Sequence, residues 1–170
     1  MLLSAYRFER EAEPPIRFVA FNPGASLKDK GCCVFRAIAT ASGLPYEQVV
    51  ENMAAGARRE RPRGGRGRSS PSNGVYTSAA WFKEYMRSLG FTWTPTMGIG
   101  TGCRVHLKAD ELPMGRLVVM VSRHACAVVD RVLYDYEDCS RGGTRCVYGF
   151  WKLQAQPVLK STGTRERHLL

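Results

Sequence analysis

The sequence is most informative at first for what it lacks. Across its 170 residues no apolar run approaches the roughly 18 residues that cross a bilayer as a helix, so no membrane partner is expected. The opening residues MLLSAYRFEREAEPP carry only two leucines before charges arrive. A secretory leader needs a basic region, a longer apolar stretch and a cleavage site, so the expected compartment is the cytoplasm. No C-x-x-C pair occurs, and no internal repeat is visible. Histidine is scarce, with three residues at His106, His124 and His168, so a search for a histidine base can be exhaustive.

Six cysteines are present, at 32, 33, 103, 126, 139 and 146. In a reducing compartment structural disulfides are not expected. Cys139 and Cys146 are spaced too widely for a zinc knuckle, and no His-rich segment follows them. No metal and no cofactor is therefore expected, and most of the thiols read as small buried apolar groups.

Charge is unevenly spread. The net charge is +10, and RRERPRGGRGR at 58–68 holds six arginines (Arg58, Arg59, Arg61, Arg63, Arg66, Arg68) against Glu60. This stretch has no apolar residue to bury and is rich in Gly, so a mobile loop is expected over about 57–74. It reads either as a solvated insertion or as an electrostatic contact for an acidic protein or nucleic acid. No aromatics interleave the arginines, which gives base stacking little support.

The chain length fits one domain, taken as 1–154, with a flexible polar tail at 155–170. IRFVAF at 16–21 reads as a short strand. Val34, Ala37, Ile38 and Ala41 follow helical spacing over about 32–42, with Gly43 as the stop. A second helix is expected over about 46–56, through Val49, Val50 and Met53. A third, over about 77–89, carries Trp81, Phe82, Tyr85, Met86 and Leu89, with Thr77 or Ser78 as cap. FTWTP reads as a strand and 96–115 mostly as loop. GRLVVMVSR, HACAVVD, VLYDYED and RCVYGFWKL are strand-like and separated by short turns. Helices followed by an antiparallel sheet make an α+β fold.

The chemistry concentrates on DKGCCVFRAIATASG, residues 29–43. A cysteine nucleophile needs a helix N-terminus to favour its thiolate, a base, and a group that orients the base. Cys32 or Cys33 meets the first condition. On the helical wheel Cys33 flanks the buried stripe, whereas Cys32 falls nearly opposite it. His168 lies in the tail, and His106 has no acid in register. His124 opens a strand that leads into a two-residue turn, Asp130–Arg131. That turn pairs Val129 with Val132, Val128 with Leu133 and Ala127 with Tyr134, placing Cys126 opposite Asp135 and His124 opposite Glu137. His124, Cys126, Asp135 and Glu137 then share a face. Asp135 lies diagonal to His124, and a one-residue bulge would bring Asp138 round instead. A plain surface hairpin with ordinary charges would carry the same residues.

The order Cys at a helix start, His on a strand, Asp on the next strand resembles the papain-like cysteine peptidases. GCCVFRAIATASGLPYEQV, RHACAVVDRVLYDYED and YGFWKL are similar to small papain-like proteins of tailed phages and some bacteria. Their motif is G-[DN]-C-x-x-R-A, then H-x-x-A-V-x-[DN]-G-x-x-x-D-x-x-D. The likeness covers about 28–53 and 116–152. It implies a papain-like α+β fold with N-terminal helices on a C-terminal antiparallel sheet. It implies Cys33 as nucleophile, His124 as base and Asp135 as orienting acid, with Asp138 and Glu137 as alternatives. A phage-encoded chain would work in the host cytoplasm. Two positions depart from the motif: Cys32 replaces Asp or Asn, and Arg131 replaces Gly at the hairpin tip, which suggests a different turn. No Gln precedes the cysteine to form an oxyanion hole, so Asn22 with the Cys33 N–H is the candidate pair. Arg36 would either favour the thiolate or pair with a scaffold acid.

The expected activity is thiol hydrolysis of a peptide or isopeptide bond, on a protein substrate that the basic loop would recruit if acidic. The same triad serves transglutamination, deamidation or acyl transfer. A third alternative is a basic factor binding nucleic acid or a host protein on an inactive hydrolase fold.

Overall fold

Helix α1 (Cys33–Ser42) begins at the second of the paired cysteines. Half of its buried residues are alanine, with Ala37, Ala39 and Ala41 beside Val34, Phe35 and Ile38, so the helix can lie close to the sheet. Gly43 ends it at a positive φ of 80°, and the Gly43 N–H donates to the Ala39 carbonyl at 2.8 Å. A second clamp comes from the sheet. Arg116 donates from Nε to the Ala41 carbonyl at 2.5 Å and from Nη2 to the Thr40 carbonyl at 2.8 Å. This satisfies terminal carbonyls and sets a cation against the negative end of the helix dipole.

The computed structural model describes residues 14–24, 32–59 and 74–154. Arg58 and Arg59 are exposed at the end of α2 (Tyr46–Arg58). Arg61, Arg63, Arg66 and Arg68, and with them the expected mobile loop, lie outside the described residues, as do the tail from 155 and His168. Helix α3 (Ala80–Ser88) starts later than its sequence suggests, with Ala79 at the N-cap and no side-chain cap. Helices α2 and α3 meet where Gly56 leaves room for the Trp81 ring, which a Cβ there would strike.

The strands are β1 (Arg17–Ala20), β2 (Phe91–Pro95), β3 (Arg116–Val121), β4 (His124–Val129), β5 (Val132–Asp135) and β6 (Val147–Leu153). They form one sheet in the order β1-β5-β4-β3-β6-β2. The fold is α+β, with three helices and a mixed sheet among the described residues. The expectation of an antiparallel sheet built from the last third of the chain needs correction. Strand β1 joins from the N-terminus and pairs parallel to β5, Arg17 with Val132 through Ala20 with Asp135. That pairing is long-range, and no local turn in the sequence announces it.

The β4–β5 hairpin has the register expected from its two-residue turn, with Ala127 opposite Tyr134, Val128 opposite Leu133 and Val129 opposite Val132. At its tip Asp130 (φ 47°) and Arg131 (φ 66°) both adopt the left-handed conformation of a type I′ turn. Asp130 is held by its neighbour, its N–H donating to the Gly115 carbonyl at 2.9 Å and its Oδ1 accepting the Gly115 N–H at 3.1 Å.

Alternation along the strands makes two cores. Ala125, Ala127, Val118 and Trp151 pack with the helices. Cys126, Val128, Leu117, Val119 and Leu133 pack on the other face with Ile16, Leu107, Leu112 and Cys139. Burying a side chain such as Ile38 or Leu133 contributes about 1.5–3 kcal/mol, so α1 and the central strands are the fixed frame of the molecule.

The cysteines outside the Cys32–Cys33 pair divide. Cys103 and Cys146 form a disulfide across 43 residues of chain. This overturns the expectation of six reduced thiols, which rested on an assumed compartment rather than on geometry. Cys126 and Cys139, like Cys32 and Cys33, remain thiols.

Candidate active site at three element ends

Three element ends converge. Cys33 is the first residue of α1, His124 the first of β4 and Asp135 the last of β5. His124 Nε2 lies 2.5 Å from Asp135 Oδ2, which leaves Nδ1 as the nitrogen able to exchange a proton with the Cys33 thiol. The imidazole therefore joins Cys33 at the start of α1 to the buried Asp135 at the end of β5.

The electrostatics separate charge across this pair. Burial pushes the Cys33 thiol pKa up, but the hydrogen bond and charge of His124, with the backbone N–H groups of Ala125 and Val34, bring it below its ordinary 9.0. Burial also opposes a charge on His124. Hydrogen bonds to Asp135, Cys139 and Cys33, and the Asp135 charge, outweigh it and raise its pKa from 6.5 to about 11. Both shifts favour a thiolate facing an imidazolium, at a helix N-terminus whose dipole also favours the anion. The Cys33 N–H, at the first helical position, has no intrahelical acceptor, which makes it a candidate donor to a developing oxyanion.

Asp135 is buried and firmly held. Besides His124, its carboxylate accepts the Tyr136 N–H at 2.8 Å and pairs with Arg36 Nη2 at 3.7 Å. Of the two ways Arg36 could act, the structure shows the pairing with an acid, and that acid is Asp135. Arg36 Nη1 donates to the Cys32 sulfur at 2.9 Å, and the guanidinium lies over the Tyr136 ring, 5.8 Å from its centroid.

This corrects the placing of Cys32. It is buried at 1% exposure, not turned away from the core. The helical wheel fails there because Cys32 is the N-cap, with φ −79° and ψ 4°, and its side chain leaves the backbone before the helix begins. The neighbouring cysteines thus stand at opposite ends of one polar network, Cys32–Arg36–Asp135–His124–Cys33.

The other candidates are placed elsewhere. Glu137 and Asp138 are exposed beyond the end of β5, where strand pairing has ceased, and Asp138 Oδ1 accepts the Ser140 N–H at 2.8 Å. Asn22 follows Phe21, whose N–H donates to the Asp135 carbonyl at 2.8 Å. It is at the same end of the sheet but is not on the wall of the cleft beside Cys33. His106, expected to lack an acid, has one, since its Nδ1 lies 3.1 Å from Glu111 Oε2. Its bridge partner Cys146 is in the disulfide, so no free thiol is paired with it.

Cys139 was not legible as a site residue. It interacts with both His124 and the buried Cys126. The shared hydrogen bond, with burial, raises the Cys126 thiol, and the same bond, joined by His124, lowers Cys139. His124, Asp135 and Cys139 place donor atoms within 4.8 Å of one another. The His124–Asp135 separation of 2.5 Å is a hydrogen bond. Two donors on one tetrahedral zinc, at bonds of about 2.0–2.2 Å, would stand about 3.3 Å apart.

Cys33 and His124 open on a cleft of about 720 Å³. Its far wall includes Trp93, Tyr148 and Trp151 from β2 and β6. Trp93 and Trp151 meet in a tilted pair, 5.3 Å between ring centroids and 49° between planes. Gly149 makes this possible, because a Cβ there would collide with the Trp93 ring.

No family model matches the chain, and no curated protein or solved structure is similar to it.

Proposed function

We propose that the protein is a thiol hydrolase of papain-like build that cleaves peptide or isopeptide bonds through an acyl-enzyme. The observation that carries the reading is the unbroken run from a helix-start thiol through His124 to a buried carboxylate, opening on a cleft large enough for a peptide segment. Neither a buried structural histidine nor a binding surface requires that run.

The Cys33 thiolate attacks the carbonyl carbon. A C–S bond forms as the carbonyl electron pair moves onto oxygen, where the Cys33 N–H can receive it. Collapse of the tetrahedral species breaks the C–N bond, and His124 gives its Nδ1 proton to the departing amine. Water then attacks the thioester, His124 takes its proton, and the carboxylic acid leaves with the thiolate restored. Asp135 keeps the imidazole oriented and offsets its positive charge throughout. Arg36 holds Asp135, and the Cys32 sulfur accepts from Arg36 in turn.

The test is acylation by an activated ester such as p-nitrophenyl acetate. We expect a burst of nitrophenolate, with acetyl located on Cys33 by mass spectrometry and slowly lost to water. A folded Cys33→Ala variant should show neither. Acetyl spread evenly over lysines and other thiols would sink the proposal.

A further inference from the structure

The cleft has a charge that catalysis does not use. Lys83 and Arg87 stand four residues apart on α3, so they project from one face of that helix, and both line the cleft with Cys33. Arg123 lines it too, immediately before His124 and at a positive φ of 57°. All three are exposed. None is paired with a carboxylate of the described residues, whose ion pairs all lie elsewhere. Among the described residues no Asp or Glu lines the cleft. Three cations, a thiol and an aromatic wall therefore share one opening.

Resting on the hydrolase reading above, we infer that the cleft selects acidic polypeptide, with Asp or Glu side chains next to the scissile bond and a bulky apolar residue against Trp93 and Tyr148. Cations of one sign clustered around a cleft concentrate anions beside the thiol that reacts. Arg123 acts from the turn that leads into His124. Lys83 and Arg87 act from α3. A polypeptide is favoured over nucleic acid because the carbonyl that this thiol attacks belongs to peptide chemistry. Trp93 (38% exposed) and Tyr148 (39% exposed) offer apolar surface for one large side chain beside the cations.

The test uses the full chain and two small probes of Cys33, uncharged iodoacetamide and anionic iodoacetate. Their rate ratio, compared with that of a free cysteine peptide, cancels intrinsic thiol reactivity and reads the local potential. At low salt we expect the ratio to favour iodoacetate by about tenfold relative to the free peptide. It should fall by about tenfold or more in Lys83→Glu/Arg87→Glu. Paired peptide substrates differing by Glu against Gln should show the same order of preference in kcat/KM, expressed mainly in KM and weakened by salt. A ratio equal to that of the free peptide, or one untouched by the double substitution, overturns the inference and leaves the hydrolase reading intact. Unreactive Cys33 with iodoacetamide would instead remove the hydrolase reading. Oligonucleotide binding that vanishes in the double variant, with no Glu over Gln preference, would reassign the cations to nucleic acid and overturn the inference.

Discussion

Replacing Asp135 by Asn keeps the shape of the side chain and removes its charge. In the native protein the carboxylate is 4% exposed and faces His124 at 2.5 Å and Arg36 at 3.7 Å. A hydrogen bond to a charged group contributes about 1.5–3 kcal/mol, and breaking a buried ion pair costs about 3–5 kcal/mol. Water reaches both partners, with His124 at 23% and Arg36 at 16% side-chain exposure. The expected loss is therefore at the lower end, about 2–3 kcal/mol near neutrality. For a chain of this size each kcal/mol moves Tm by about 2–4 °C, so a drop of roughly 5–10 °C follows. The pH dependence has a definite sign. His124 is raised in the folded state from 6.5 to about 11, so its contribution is complete below 6.5 and is lost as pH rises through about 11. The gap between wild type and Asp135→Asn should be widest in mild acid and narrow towards alkaline pH. Calorimetric unfolding of both proteins across that window measures it. A gap below about 0.5 kcal/mol in mild acid, or one that widens with pH, would refute the electrostatic account of this carboxylate.

Three further outcomes follow from the frame around the site. Arg116→Met removes two hydrogen bonds from the α1 C-terminus and should cost about 1–3 kcal/mol in urea unfolding with an unchanged slope. Gly149→Val drives a side chain into the Trp93 ring and towards the Thr94 carbonyl, which a Cβ would meet at 2.8 Å. It should cost about 1–3 kcal/mol and alter tryptophan fluorescence. Reducing the Cys103–Cys146 bridge, which spans 43 residues, should lower stability by about 4 kcal/mol on chain-entropy grounds, read by denaturation with and without dithiothreitol.

What could be read from sequence followed how local its cause was. The two-residue Asp130–Arg131 turn sets the hairpin register, so the opposition of Ala127 and Tyr134 was legible in advance. The α1 stripe was legible for the same reason, since helical spacing is a property of neighbours. Strand β1 lies parallel to β5 through a contact more than a hundred residues apart in the chain, and nothing at either end encodes it. Cys32 was misplaced because periodicity applies only inside a helix, and this residue sits one step outside. Arg36 was ambiguous until the fold showed which acid lay within its reach. Cys139 follows a strand end with no pattern of its own, and only the closing of the second core brings it to His124. The disulfide was missed because compartment, not distance, was used to judge it.

The most direct test of the central claim is the ionisation of Cys33 itself. The rate of iodoacetamide alkylation at Cys33, followed by mass spectrometry across pH in wild type and in His124→Ala, reads it. The account predicts a wild-type midpoint below the ordinary 9.0. It also predicts an upward shift in His124→Ala, where burial still opposes the thiolate and the imidazolium is gone. A wild-type midpoint at or above 9.0, unmoved by the loss of His124, would contradict it.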